Sequence, residues 1–300
     1  IMLKADSIIV VSNYIKNYLI ENYGNFFADK INIIQRGVDL NYFNQEKVSK
    51  NRVIDLIKKN KLPELELNLT NEVVLIEFRI LPHLEFLLIN TINKIGNQWS
   101  YTIVCGNDNY DFMKQLANSI SPNIKLIKLE YNNINIDKYN EILTSTFFWN
   151  LFTGSKILLW QEDSCVFGSN INDFLKWDYI GAPWPPRDNN NSNNVGNGGF
   201  SLRTTKCMID TINTVSIEKA HYNREYNETP PEDVYFSKTM IDYNIGMVAD
   251  FTSGYLFSHE CYINEDAFGG HCFFLYNREW KKMMYDKLIR NLIEEIISNK

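Results

Sequence analysis

KILLWQEDS, residues 156–164, decides the fold. A short run dominated by Ile and Leu, stopping at Gln161, Glu162, Asp163 and Ser164, predicts a buried strand that ends in polar groups. Three comparable runs lie upstream: EVVLIEFR (72–79), YTIVCG (101–106) and NIKLIKL (123–129). The stretches between them read as helices over 84–95, 110–119 and 137–145. Strands alternating with helices predict an α/β fold with a mostly parallel sheet. In such sheets ligands sit beyond the carboxyl ends of the strands. The polar groups at those ends therefore matter most: Glu77 and Arg79 after the first run, Glu162 and Asp163 after the fourth.

Moving outward, the pattern starts at about residue 72. Upstream, ADSIIVVSNYIKNYLI (5–20) opens on a β-branched run, Ile8 to Val11, after which Ser12 caps an amphipathic helix. DKINIIQRGVDLNYF (29–43) repeats the theme, a strand at Ile31 to Ile34 and then a turn at Gly37. A polar stretch, about 44 to 71, reads as a helix plus linker. Downstream of 165 the pattern changes. GAPWPPRDNNNSNNVGNGG (181–199) reads as a long loop, followed by helices at 204–215 and 232–243. Residues 281–300 read as an amphipathic C-terminal helix. The expected division is 1–45, 46–71, 72–280 and 281–300.

Composition narrows the function. The 300 residues carry 30 basic and 36 acidic side chains, a net charge of −6, which argues against a general nucleic-acid binder. A hydrophobic share of 45% excludes wholesale disorder. No apolar run approaches the ~20 residues of a membrane span. The five Cys are scattered, with no Cys-x-x-Cys pair, and read as reduced thiols of a cytoplasmic protein. Asn occurs 39 times, which points to a low-GC genome such as that of a large DNA virus, and then to the host cytoplasm. The chain opens on Ile1, and the expectation is a piece cut from something longer.

Four constellations could carry chemistry. In QEDS, a carboxylate just past a buried strand is placed to hold Mg²⁺ or Mn²⁺ against a diphosphate, or is simply a solvated strand end. VGNGGFSLR (195–203) offers Asn197, Gly198 and Gly199 for close backbone approach to a ligand, or a tight turn into a strand. PPEDVYFS (230–237) places Glu232 and Asp233 in the first turn of a helix, as capping charges or with one carboxylate acting as base. In AFGGHCFF (267–274), His271 is a core histidine or a metal ligand, with His259 a weaker candidate. His83 and His221 read as structural or exposed. Trp184, Tyr179 and Phe200 are core aromatics or apolar faces for a sugar ring.

Residues 72–280 resemble an uncharacterised glycosyltransferase-like family, a domain of unknown function. The resemblance runs through VLIEFRILPHLEFLLINT, NQWSYTIVCG, YNEILTSTFFWN, LLWQEDSCVF, FLKWDYIGAPW, VGNGGFSLR, PEDVYFS and FGGH, in order. The family looks like a GT-A glycosyltransferase, a single nucleotide-sugar-binding α/β domain. The resemblance implies a sugar transferred from a nucleotide-sugar, with a UDP-sugar favoured, to a glycan, lipid or protein acceptor. Glycogenin-like GT-A enzymes end a strand in Asp-x-Asp-Thr. Here the letters are Gln161, Glu162, Asp163 and Ser164, so the second Asp is kept and the first is Gln. By the same resemblance His271 is the late metal ligand beside Asp163, and Glu162 is donor-contacting. Asn197, Gly198 and Gly199 form the sugar-contacting turn. Glu232–Asp233 resembles the acceptor-receiving pair of galactosyltransferase-like enzymes, and Glu77 and Arg79 would lie near the nucleotide.

Residues 1–45 resemble the end of the acceptor half of a GT-B, family-four-type glycosyltransferase, present as a remnant. Two other readings belong to different classes. Gln161 motivates a non-catalytic nucleotide-sugar or glycan-binding module, and the same carboxylates would also serve a metal-dependent hydrolase.

Overall fold

The computed structural model describes residues 8–10, 31–33, 62–185, 195–220 and 230–290. The chain divides into two units, Ile1–Val53 and Ile54–Lys300. In the first, strands β1 (Ile8–Val10) and β2 (Ile31–Ile33) pair in parallel on the two β-branched runs. The helix expected after Ser12 and the turn at Gly37 lie outside the described residues, as do 46–61.

The second unit contains, in chain order, β3 (Asn71–Ile76), α1 (Leu84–Ile95), β4 (Ser100–Cys105), α2 (Tyr110–Ile120), β5 (Ile124–Lys128), α3 (Ile136–Leu143), α4 (Thr146–Trp149) and β6 (Lys156–Trp160). It continues with β7 (Ser164–Val166), β8 (Tyr179–Ile180), β9 (Phe200–Thr204), α5 (Thr205–Thr214), α6 (Glu232–Asp242), α7 (Phe251–Phe257), β10 (Ser258–His259) and β11 (Gly269–His271). Helix α8 (Trp280–Met284) runs into a π-helical turn, Tyr285–Arg290. Among the described residues no helix is long and apolar enough to cross a membrane.

The main sheet has the order β5-β4-β3-β6-β9-β8. Strands β5, β4, β3 and β6 are mutually parallel, and β9 runs antiparallel between β6 and β8. This is a mixed α/β fold with a mostly parallel sheet. The chain steps outward from β3 to β4 to β5, then returns to add β6 on the other side of β3. That reversal makes the carboxyl ends of β3 and β6 the topological switch point, the place where open α/β sheets bind ligands. A second sheet, β10-β11-β7, leaves the end of β6 directly, because β7 begins only four residues after Trp160.

The sheet forms where the sequence is apolar on consecutive residues. Val73 to Ile76, Tyr101 to Cys105 and Ile157 to Trp160 are all buried, as expected of strands covered on both faces. One face packs against Phe148, Trp149, Tyr235 and Phe236 from α4 and α6. The helix expected over 137–145 is present as α3, ending at Leu143, and a separate short helix, α4, follows it. Ser145 takes an extended conformation and its hydroxyl accepts from Phe148 N at 3.3 Å, so it caps a new helix instead of extending the old one. Five short strands, β7 to β11, have no periodic signal of their own. They are two to five residues long and pair non-locally, so their partners are fixed by tertiary contact.

At the foot of the sheet lies one buried carboxylate, Glu72, only 1% exposed. It accepts from the Thr102 hydroxyl and from the backbone N–H groups of Thr153 (3.1 Å) and Gly154 (3.0 Å). It thereby ties β3 to β4 and to the turn that enters β6. Replacing it strands two buried backbone donors. Glu72→Leu is expected to lower unfolding free energy by roughly 2–3 kcal/mol in urea titration, although it removes a buried charge. An unchanged midpoint would show that Glu72 carries no structural load.

Candidate functional site

The first cluster is built by the antiparallel pairing of β7 with β11. Its register sets His271 opposite Ser164, so His271 and Cys272 arrive beside Asp163 from more than a hundred residues away. Cys272 N donates to Asp163 O at 3.1 Å. His271 Nε2 lies 3.2 Å from Asp163 Oδ1, and Cys272 Sγ lies 3.1 Å from Asp163 Oδ2. The imidazole, the thiol and one carboxylate oxygen sit within 4.8 Å of one another, a spacing that one ion can bridge. On its far side His271 Nδ1 faces Glu260 Oε1 at 3.6 Å. Burial alone would raise the Asp163 carboxyl; the charge and hydrogen bond of His271 outweigh it and hold that carboxyl well below the usual range. The same pairing overcomes burial at His271 and pushes the imidazole well above its ordinary value.

The glycine turn comes next to this cluster because β9 pairs with β6, with Phe200 opposite Trp160. Gly199 O accepts from Gln161 N (3.0 Å) and from the Ser164 hydroxyl (2.9 Å). A Cβ at Gly199 would overlap the His271 ring, and a Cβ at Gly198 would overlap Glu232 Oε1. Both positions therefore need glycine for close approach rather than for their dihedrals. Asn197, at φ 55°, accepts from Gly199 N at 3.0 Å through Oδ1 and donates through Nδ2 to Glu260. The half-buried Trp184 ring lies on Gly196, leaving that position no room for a side chain.

Beyond the turn, Glu232 and Asp233 have distinct surroundings. Arg203 is fully buried and holds Glu232 bidentately, at 2.6 and 2.9 Å. The guanidinium lies 4.9 Å from the Tyr179 ring centre, 5.6 Å from Phe236 and 5.7 Å from Trp149. With Glu232 satisfied, Asp233 is the second carboxylate beside a single cation. Its Oδ2 accepts from Gly198 N at 3.1 Å and its Oδ1 from Val234 N at 2.7 Å. Burial, and then the charge of Glu232, still push the Asp233 carboxyl up to about 6.

A separate cluster closes the carboxyl ends of β3 and β6. Glu77 accepts from Arg79 Nε (2.8 Å) and Nη2 (2.7 Å). Arg79 Nη2 also reaches Glu162 Oε1 at 3.1 Å, and His83 Nε2 meets Glu162 Oε2 at 3.1 Å. Asn109 pins the loop by donating to the carbonyls of Glu77 and Arg79. Glu162 is 2% exposed and points into this cluster, away from the partners that Asp163 finds.

The structure thus brings Asp163, His271, Asn197, Gly198, Gly199, Glu232 and Asp233 into one continuous chain of contacts. Glu77, Arg79 and Glu162 form their own group, with His83 as an unforeseen member. Tyr179 and Phe200 are fully buried and belong to the core, not to a sugar-facing surface. His259 is also fully buried, and burial lowers its pKa to about 4, so it is a neutral core residue outside the Asp163 cluster. Sequence reasoning missed Cys272, which is adjacent to His271 but was grouped with the scattered thiols. It also missed Glu260, which no pattern marks.

Residues 123–271 match a family described as a protein of unknown function, DUF5672. No curated protein matches the chain. Among solved structures, the chain is similar to S. aureus TarS 1–349, with 11% identity, a TM-score of 0.43, and coverage of 74% of this chain and 67% of that one. It is also similar to the mannosyltransferase PcManGT from Pyrobaculum calidifontis, solved with GDP-Man and Mn²⁺, at 13% identity and a TM-score of 0.41 (66% and 60% covered). A third is the apo-form glycosyltransferase GlyE of Streptococcus pneumoniae TIGR4, at 13% identity and a TM-score of 0.40 (60% and 45% covered). The chain spans about two thirds or less of the length of these three structures.

Breaking the buried Arg203–Glu232 pair from one side leaves an uncompensated charge among aromatic rings. Arg203→Met is expected to cost about 3–5 kcal/mol by chemical denaturation. The double variant Arg203→Met/Glu232→Leu should cost much less than the sum of its parts. Additive costs would refute direct coupling between the two.

Proposed function

We propose that this chain is a glycosyltransferase that moves a sugar from a nucleotide-sugar, with a UDP-sugar favoured, to a hydroxyl of a glycan, lipid or protein acceptor. The observation that carries this reading is the mutual approach of three parts: the Asp163–His271 cluster, the Gly198–Gly199 turn and Asp233. The sequence resemblance to GT-A glycosyltransferases points the same way. Asp163 and His271 would hold a divalent cation, Mn²⁺ or Mg²⁺ on the resemblance. When bound, that cation supplies Lewis-acid stabilisation of the departing diphosphate, a matter of several kcal/mol. Since the chain is acidic overall, it lacks any general attraction for a diphosphate and needs such local positive charge.

The chain's own groups have the following roles in this reading. Asp233 takes the acceptor hydroxyl's proton, because its raised pKa suits a base working near neutrality. Glu232 is a positioning residue, held by Arg203, that keeps Asp233 basic through its charge. The backbone at Asn197, Gly198 and Gly199 lies against the sugar, with Trp184 offering an apolar face. Glu77, Arg79 and Glu162 approach the nucleotide. A cytoplasmic setting fits five free thiols.

A non-catalytic nucleotide-sugar-binding module is the second reading. It is favoured by Gln161 at the first position of the acidic motif and by the engagement of Glu162 with Arg79 and His83.

The test is release of nucleoside diphosphate from a panel of nucleotide-sugars with divalent metal present. Thermal shift reports binding separately, since a ligand of the native state raises apparent stability. Turnover is expected for at least one donor, and Asp233→Asn should lower kcat by roughly 10²- to 10⁴-fold with little change in donor binding. The rate of wild-type protein should rise with pH through an apparent pKa of about 6, as Asp233 loses its proton. Stability should move oppositely: a carboxyl whose folded pKa is raised favours the native state at low pH, and that contribution fades as pH climbs from about 4 through about 6. Donor binding without turnover across the panel would establish the binding module, and no donor binding would overturn both readings.

A further inference from the structure

Strand alternation should put Cys272 and His271 on opposite faces. It does not, because Cys272 leaves β11 in the left-handed region, at φ 47° and ψ 16°. Few non-glycine residues adopt that conformation, and Cys has none of the local hydrogen bonding that lets Asn or Asp do so. The consequence is chemical. The turn brings Sγ back to 3.7 Å from His271 Nε2 and 3.1 Å from Asp163 Oδ2. His271 Nε2 in turn lies 3.2 Å from the other carboxylate oxygen, Asp163 Oδ1, and one donor atom from each of the three residues falls within 4.8 Å of the others. Around a tetrahedral ion with bonds of zinc length, ligand atoms stand roughly 3.3–3.6 Å apart, a separation of the same order.

We propose that Cys272 is a third protein ligand, and that the site therefore takes a thiophilic ion of the Zn²⁺ class in preference to Mg²⁺ or Mn²⁺. This rests on the reading that Asp163 and His271 hold a metal, and goes beyond it by naming the donor that selects the ion. Hard cations take oxygen, and Mg²⁺ keeps its waters. A sulfur, nitrogen and oxygen set favours Zn²⁺ or Co²⁺ on ligand softness and on the Irving–Williams order.

Two further features belong to such a site. Buried Asp163 Oδ1 meets His271 Nε2 at 3.2 Å without a well-formed hydrogen bond, so its lone pairs face the cluster. Glu260 stands 3.6 Å from His271 Nδ1, close enough for a small shift to give the carboxylate–imidazole pairing that would orient the ring with Nε2 toward an ion. Glu260 is itself held by Asn197. Three protein ligands leave one tetrahedral position for an anionic oxygen, the pattern of a working rather than a structural zinc site. Binding replaces the thiol proton with the ion and releases that proton to solvent.

The experiment uses chelator-stripped full chain, equilibrated with Zn²⁺ or Co²⁺ in excess Mg²⁺, with metal content measured after dialysis. One equivalent of Zn²⁺ or Co²⁺ per chain is expected, with a thiolate-to-cobalt charge-transfer band in the near ultraviolet. Zn²⁺ should also protect Cys272 of the wild-type chain from alkylation, read by peptide mass mapping. Cys272→Ser should abolish the band and weaken Zn²⁺ by about tenfold or more. Cys272→Asp, a residue the left-handed conformation tolerates, should turn preference toward Mg²⁺ and Mn²⁺. Circular dichroism of the stripped variants separates metal loss from unfolding, and the alkylation measurement needs no variant at all. Cobalt bound without the band, or Cys272 alkylated equally with and without Zn²⁺, would overturn the role of Cys272 while leaving Asp163 and His271 as ligands. Metal retained undiminished in Asp163→Asn would overturn the underlying site as well.

Discussion

The site depends on the buried pair of Arg203 and Glu232. One side chain comes from β9, the other from the first turn of α6, and Gly198 fits in the space left between them. A bidentate guanidinium–carboxylate pair in an aromatic cage has little freedom to slide. It therefore fixes the distance from the sheet to α6, and with it the position of Asp233. It also divides the labour between neighbouring carboxylates. Glu232 takes the only buried cation among the described residues, and Asp233 is left with backbone donors and a raised pKa. Two adjacent acids of similar sequence signature thus become different chemical groups.

The second constraint is topological. The reversal at β3 and β6 sets the switch point, and the short sheet of β7, β10 and β11 continues from the end of β6. Because β7 leaves β6 almost at once, Asp163 is held between two sheets rather than in a free loop. The hydrogen bonds from Gln161 and Ser164 to Gly199 O close the corner. A carboxylate held by ladders on both sides is fixed in place by the fold itself, which is what a precise site of any kind requires.

Much of this was legible in the sequence, for identifiable reasons. The parallel strands announce themselves because both faces are buried, giving unbroken apolar runs such as VVLI (73–76) and ILLW (157–160). Helix α1 is found to the residue, since its apolar stripe ends at Gly96. Asp163, Asn197, Gly198, Gly199, Asp233 and His271 stood out in the sequence because chemistry-bearing residues at strand ends and in glycine turns are uncommon, and the fold brings them into one chain of contacts. What stayed hidden was non-local. Strand pairing of β7 with β11 decides that Cys272 faces Asp163, and no spacing reports a pairing across so much chain. The direction of Glu162 was equally hidden: it neighbours Asp163 in sequence yet belongs with Arg79 and His83. The four-residue helix after Ser145 went unread, because so short a helix leaves no periodicity even though its capping serine is in the sequence.

Asn197 has one further consequence. Its amide is engaged at both ends, receiving from Gly199 N and giving to Glu260, which in turn faces the Nδ1 of His271. A ligand that draws this amide toward itself slackens Glu260 and so lowers the basicity of the ring behind which it stands. The turn and the imidazole are then two ends of one thermodynamic cycle. In the proposed transferase, whatever free energy a sugar at the turn added to or removed from cation affinity at the ring would be returned by the cation to the sugar in equal measure.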